Sequence, residues 1–153
     1  AEGPIPRLWE PLASKHKPAN GYAAKFSLPY LLALMLVKGR ATLAEFTDEA
    51  ARDQAVLAVA GKVGYEVDAT IDYPRQFIGH VAIRLHDGRL LEERQDHPRG
   101  GPDFPMTREE VEAKFLGNAA LAVTVEQSAR IVRIVGDLAA QAHLTALMDS
   151  LTA

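Results

Sequence analysis

The stretch "KFSLPY", residues 25–30, sets a phenol one turn inside an apolar segment, "LLALMLVKGR", that otherwise carries few polar atoms. A buried tyrosine hydroxyl needs a hydrogen-bond partner, either inside a core or on a ligand. Tyr30 is therefore the first candidate for chemistry, and composition alone favours a core tyrosine with a satisfied hydroxyl. Lys25, at the head of the same stretch, belongs with "SKHK" to a modest basic cluster whose simpler reading is a solvated face. A second candidate is "RGGP", residues 99–102, where Gly100 and Gly101 give the backbone freedom beside the Arg99 guanidinium. Such loops can cradle an anion with backbone N–H groups, and they are also ordinary turns, which is the favoured reading. His80 and His86 lie six apart with the same strand parity and so face one way. No neighbouring residues complete a metal ligand set, so no metal is expected. His97 stands at a strand end before the glycines, where a solvated loop histidine is the simpler reading. "SKHK", residues 14–17, is a modest basic cluster that reads as a solvated face.

The elements that position these residues follow from proline, glycine and periodicity. Pro4, Pro6, Pro11 and Pro18 make residues 1–24 extended chain and loop, with a short edge strand in "IPRLWEPL". Ser27 is a plausible N-cap, Pro29 is tolerated in the first turn, and Gly39 ends a helix over 28–38. Leu28, Leu31, Leu32, Met35 and Leu36 form one stripe of it, and Ala33, Leu34 and Val37 fill the rest, so burial on most sides is expected. "TLAEFTDEAARDQAVLAVAGKV" predicts one or two helices, with Thr47 and Asp53 as caps and Val56, Leu57, Val59 and Ala60 in the core. Beyond Gly64 the period changes to two. "YEVDA" and "HVAIRLH" alternate, Val81, Ile83 and Leu85 share a face, and Asp87-Gly88 signals a type I′ hairpin turn leading into "RLLEERQ". A small antiparallel sheet with helices on one side is the result. After the loop 97–105, Thr107 and Glu110 form a capping box with Met106 and Val111 as a staple. Two further helices are predicted at about 125–138 and 142–151. The fold class is α+β: an α+β unit over residues 1–100, then a bundle of about three helices over 101–153. The apolar stripes of that second part look built to meet a larger helical body or another copy of the chain.

Bulk properties narrow the function. The chain has 153 residues, 48% hydrophobic and 24% charged, and a net charge of −3. No excess of basic residues supports nucleic-acid or anionic-membrane binding. The absence of cysteine removes thiolate catalysis, iron–sulfur clusters and cysteine zinc sites, and fits a reducing compartment such as the cytoplasm. No apolar run is long enough to span a bilayer. Phosphate-binding loops, dinucleotide fingerprints, nucleophile elbows and paired-histidine zinc motifs are missing. The chain does not open on a methionine, which suggests that it is cut or processed from something longer.

"EPLASKHKPANGYAAKFSLPYLLALMLVKGRATLAEFTDEA", continuing through "LAVAGKVGYEVD" and "HVAIRLHDGRLLEERQDHPRGGPDFPMTREEVEAKF", resembles the C-terminal part of the 2-methylcitrate dehydratase (MmgE/PrpD) family. The resemblance covers nearly the whole chain, and "AKFSLPY", the "DGR" hairpin and "RGGPDFPMTREEVEAKF" are its most specific pieces. It implies a lid-like α+β domain followed by helices that return to a larger helical domain. It implies a cofactor-independent lyase or isomerase that dehydrates, decarboxylates or epimerises small di- or tricarboxylates such as 2-methylcitrate, in propionate metabolism. It places Tyr30 at a cleft, bonding a substrate carboxylate or hydroxyl or assisting proton transfer, and Lys25 as a weaker substrate contact. The family's catalytic Asp, His and Lys residues come from sequence not present in these 153 residues. The expectation is therefore a chain inactive alone, which pairs with a helical domain or subunit or forms a homodimer. The alternatives are a separately encoded subunit of a split enzyme, or a binding and assembly module that kept the lid fold.

Overall fold

The computed structural model describes residues 5–152, and the chain divides into two units, Ala1–Phe104 and Pro105–Ala153. In the first unit, α1 (Ile5–Leu8), α2 (Leu12–His16) and α3 (Gly21–Ala24) are short helices. The edge strand expected in "IPRLWEPL" is therefore absent and its first half is α1, where Pro6 sits in the first turn and needs no N–H partner. α4 (Leu28–Lys38) has the expected bounds: the Ser27 hydroxyl accepts from the Tyr30 N–H, and Gly39 closes the helix at φ 70°. Its burial differs from the sequence reading. The buried residues are Pro29, Tyr30, Ala33 and Leu34, while Met35 and Leu36 are about half exposed. The inward face is thus the i, i+3, i+4 set of Tyr30, Ala33 and Leu34 rather than the leucine stripe. α4 packs on α5 (Gln54–Ala60) and on α2.

Asp53 caps α5 as expected, accepting from the Ala55 and Val56 N–H groups, and Val56 and Ala60 are buried with Leu57 and Val59 packed against them. Single 3₁₀ turns at Leu43–Glu45 and Ala50–Arg52 bridge α4 to α5. Gly21, which opens α3, permits the closest backbone approach in the unit: a Cβ there would lie 2.0 Å from the Phe46 carbonyl oxygen. That approach lays α3 beside the chain leading to Ala50–Arg52.

β1 (Gly79–Arg84) and β2 (Leu90–Gln95) pair antiparallel, with Ile83 opposite Leu91. Val81, Ile83 and Leu85 are half-buried between exposed neighbours, as their alternation predicts, and β2 is exposed along its length. Two expectations fail here. The turn is not type I′, because no residue other than glycine has positive φ. Instead Gly88 takes φ 87°, its N–H bonds the Leu85 carbonyl, and Leu85 bonds back to Arg89, a three-residue loop with a bulge. "YEVDA" forms no strand: it alternates but has no neighbouring strand with which to pair.

In the second unit α6 (Arg108–Ala119), α7 (Val125–Gly136) and α8 (Thr145–Leu151) match the three predicted helices, with α7 packed against both others. The Thr107–Glu110 capping box is complete: Glu110 accepts from the Thr107 N–H at 2.7 Å, and Thr107 from the Glu110 N–H at 3.2 Å. Among the described residues no helix is long and apolar enough to cross a membrane.

A second capping box, Thr42–Glu45, buries the Glu45 carboxylate beside Arg40 at 2.7 Å. The Thr42 hydroxyl first, then the Thr42 N–H and the Arg40 guanidinium, hold its pKa down at about 2 against an ordinary 4.5. A depressed carboxyl stabilises the fold fully above its ordinary value and progressively less as pH falls to the folded value. Glu45→Gln is expected to lower the urea midpoint at neutral pH and to flatten the loss of stability between 4.5 and about 2. An unchanged acid slope in the variant would exclude Glu45 as its source.

Candidate functional site

The corner between α3 and α4 holds Lys25 and Tyr30, and it is fixed by hydrogen bonds that run back to α2. The Lys15 ammonium donates to the Phe26 carbonyl at 2.7 Å and to the Arg7 carbonyl at 2.5 Å. The Ser27 hydroxyl, besides capping α4, donates to the Lys15 carbonyl at 2.5 Å. Lys15 is thus a structural cation rather than a member of a solvated face. His16 in the same cluster has Nε2 2.8 Å from the Val63 carbonyl oxygen, which ties α2 to the chain leaving α5.

Tyr30 has no exposed surface, and its hydroxyl donates to the Ala50 carbonyl at 3.0 Å. Burial first, then the negative charges of Asp53 and Glu45, push the phenol above its ordinary pKa. At neutral pH it is a proton-bearing donor. For Tyr30 to meet a ligand, its bond to Ala50 would have to be exchanged. Lys25 needs no such exchange. It closes α3 through its backbone, its side chain is exposed, and its ammonium has no partner among the described residues.

Arg99, Gly100 and Gly101 occupy a different station, the turn 97–104. The Gly100 N–H donates to the Phe104 carbonyl at 2.8 Å and the Gly101 N–H to the Pro98 carbonyl at 3.1 Å, with Gly100 at φ 94°. Both glycine N–H groups are therefore used within the turn, and an anion held there would have to displace them. The Arg99 guanidinium stacks 4.3 Å from the Phe104 ring centre, a cation–π contact. His97 Nδ1 lies 3.4 Å from an Asp103 oxygen. His80 meets Glu92 across the hairpin at 2.7 Å. Among the described residues no three His, Asp or Glu side chains converge where they could hold a metal ion.

Sequence reasoning missed one feature of this region that was legible: Thr42–Glu45 has the T-x-x-E spacing of a capping box.

The model of the MmgE/PrpD C-terminal domain matches residues 8–140 of this chain. No curated protein matches it.

Tyr30→Phe keeps the ring and removes the donor from a carbonyl packed in the core. The Ala50 carbonyl keeps the Asp53 N–H at 3.1 Å, so the expected cost is that of one net hydrogen bond, about 0.5–1.5 kcal/mol. It would be read as a lower urea midpoint with an unchanged slope. A midpoint equal to the wild type would mean that the Ala50 bond contributes nothing to the fold.

Proposed function

The chain belongs to the MmgE/PrpD family through its C-terminal domain, and from that membership we propose that it is one part of a lyase or isomerase acting on small di- or tricarboxylates such as 2-methylcitrate. The reaction class is dehydration, decarboxylation or epimerisation, each of which begins by labilising a proton or group next to a carboxylate, without a cofactor. The observation that carries this reading is the extent of the family match, which runs from residue 8 to residue 140 and so takes in most of the first unit and part of the second.

Proton abstraction beside a carboxylate needs a positioned base with a pKa near the working pH. Among the described residues Glu45, Asp53, Asp68, Asp87 and Glu109 have lowered pKa values, in each case first through hydrogen bonds. None of these is tuned as a base. Tyr30 is shifted upward, away from proton release. The base and acid are therefore assigned to the family's N-terminal helical portion, on the same polypeptide or on a separate subunit. This chain contributes Lys25 as a carboxylate contact and Tyr30, once its bond to Ala50 is exchanged, as a donor to a substrate carboxylate or hydroxyl or an aid to proton transfer. In the separate turn 97–104, the Arg99 guanidinium is a further candidate carboxylate contact, while the Gly100 and Gly101 N–H groups would first have to give up their bonds within the turn.

Assembly completes the reading. Val125, Leu144, Met148 and Leu151 are all more than half exposed in the second unit, a pattern suited to a covering surface supplied by a helical partner or a second copy. With the purified chain, turnover of 2-methylcitrate should not rise above background, and sedimentation at micromolar concentration should give a mass above 16.6 kDa. Robust turnover by the chain alone would overturn the assignment of the base elsewhere. A monomer would overturn the self-association.

A further inference from the structure

We propose that Asn20–Gly21 is a site of spontaneous covalent modification, deamidation through a cyclic imide, and that the bond from the Gly21 N–H to Asp48 holds it closed in the folded chain. Asparagine is a thermolabile residue. A following glycine makes it most so, because no Cβ shields the next backbone nitrogen and the glycine backbone turns freely. The sequence has two asparagines, and the other, Asn118, is followed by alanine.

Each half of the pair has a structural reason to be there. α3 needs a capping acceptor, and Asn20 Oδ1 accepts from the Ala23 N–H at 2.8 Å. Position 21 needs glycine, because a Cβ there would lie 2.0 Å from the Phe46 carbonyl oxygen and 2.7 Å from the Thr47 carbonyl carbon. A helix cap and a close approach of two chain segments thus set a reactive dipeptide side by side.

In the reaction the Gly21 nitrogen gives up its proton to solvent and attacks Cγ of Asn20. The bond from Cγ to the side-chain nitrogen breaks, ammonia leaves, and a five-membered imide forms. Water then opens the ring at Cγ to give aspartate, or at the backbone carbonyl to give isoaspartate. The fold opposes the first step at both reacting groups. The Gly21 N–H donates to Asp48 Oδ1 at 2.9 Å, a charge-assisted bond, and a nitrogen anion beside that carboxylate is disfavoured by like charge. The Asn20 side chain is held on Ala23. Gly21 is buried against the segment that carries Asp48, so bond and packing open together.

The two products differ in consequence. Aspartate caps a helix as well as asparagine does and keeps the backbone length. Isoaspartate routes the main chain through Cβ and adds a carbon where Gly21 meets Phe46, so α3 cannot regain its approach to the turn on which Tyr30 is bonded.

The test is incubation of the purified chain in warm neutral buffer, folded and in guanidinium chloride, with mass spectrometry of the proteolytic peptide containing Asn20. The folded wild type is expected to deamidate at least about tenfold more slowly than the unfolded chain, and folded Asp48→Ala about tenfold faster than the wild type, the loss of one charge-assisted bond. Protection of the Gly21 amide against hydrogen exchange should track the slowing in the wild type, since both need the same local opening. Three results would overturn the proposal: equal rates in the folded and unfolded wild type, no acceleration in an Asp48→Ala chain that unfolds cooperatively, or a Gly21 amide that exchanges as in an unfolded chain. If Asp48→Ala does not fold, the wild-type rates and the Gly21 exchange decide the matter.

Discussion

The hydroxyl of Tyr30 bonded to the carbonyl of Ala50 is the constraint around which the first unit is organised. A tyrosine with no exposed surface cannot leave its hydroxyl unpaired without a penalty comparable to a lost hydrogen bond. The acceptor, in a 3₁₀ turn, also takes the Asp53 N–H at 3.1 Å, so the Ala50 carbonyl uses both of its lone pairs. The tyrosine's bond joins α4 to the segment that starts α5, and the two helices then share the core of Tyr30, Ala33, Leu34, Val56 and Ala60. The Ala50–Arg52 turn can reach Tyr30 because α3 lies against it, and α3 can approach the preceding chain because Gly21 has no side chain. The bond, the missing Cβ and the shared core form one arrangement: removing any of them moves the turn.

Lys15 and Ser27 play the same part on the other side of α4. A lysine that spends its ammonium on two backbone carbonyls supplies donors where α1 and the α3–α4 corner leave acceptors open. Ser27 both caps α4 and returns a bond to Lys15. The entrance to α4 is therefore held from both sides. This explains how a short sequence dense in serine, proline and aromatic residues can form a rigid corner rather than a loop.

What could be read in the sequence was local. The caps at Ser27, Asp53 and Thr107, the glycine at position 39 and the centre of the hairpin depend on residues within a few positions of one another, and each stands where its spacing places it. The features that misled were also local, but their outcome is decided at a distance. "YEVDA" has a strand's alternation and no strand beside it. The leucine stripe of α4 is the more hydrophobic face, yet the helix turns Tyr30, Ala33 and Leu34 inward because α5 and α2 pack there. Asp87-Gly88 marks the hairpin correctly, but Asp87 keeps negative φ and the loop takes a third residue. Of the candidate site, the importance of Tyr30 was legible from the cost of burying a phenol. The partner Ala50 was not, since no periodicity relates residues on separate elements.

The second unit shows what a family domain looks like when most of its apolar surface faces outward. Its helices are well capped, and α7 is bound to α8 through Gln127 donating to the Ser150 carbonyl at 3.0 Å, yet Ile131 is its buried apolar residue. Capping and helix propensity give helices a start, but packing of an amphipathic face supplies most of their stability in proteins. The paired strands of the first unit pose the same problem in another form: a two-stranded ribbon with β2 exposed along its length is marginal in water. Both elements are thus specified by local signals, caps in one and a hairpin turn in the other, while burying little apolar surface of their own.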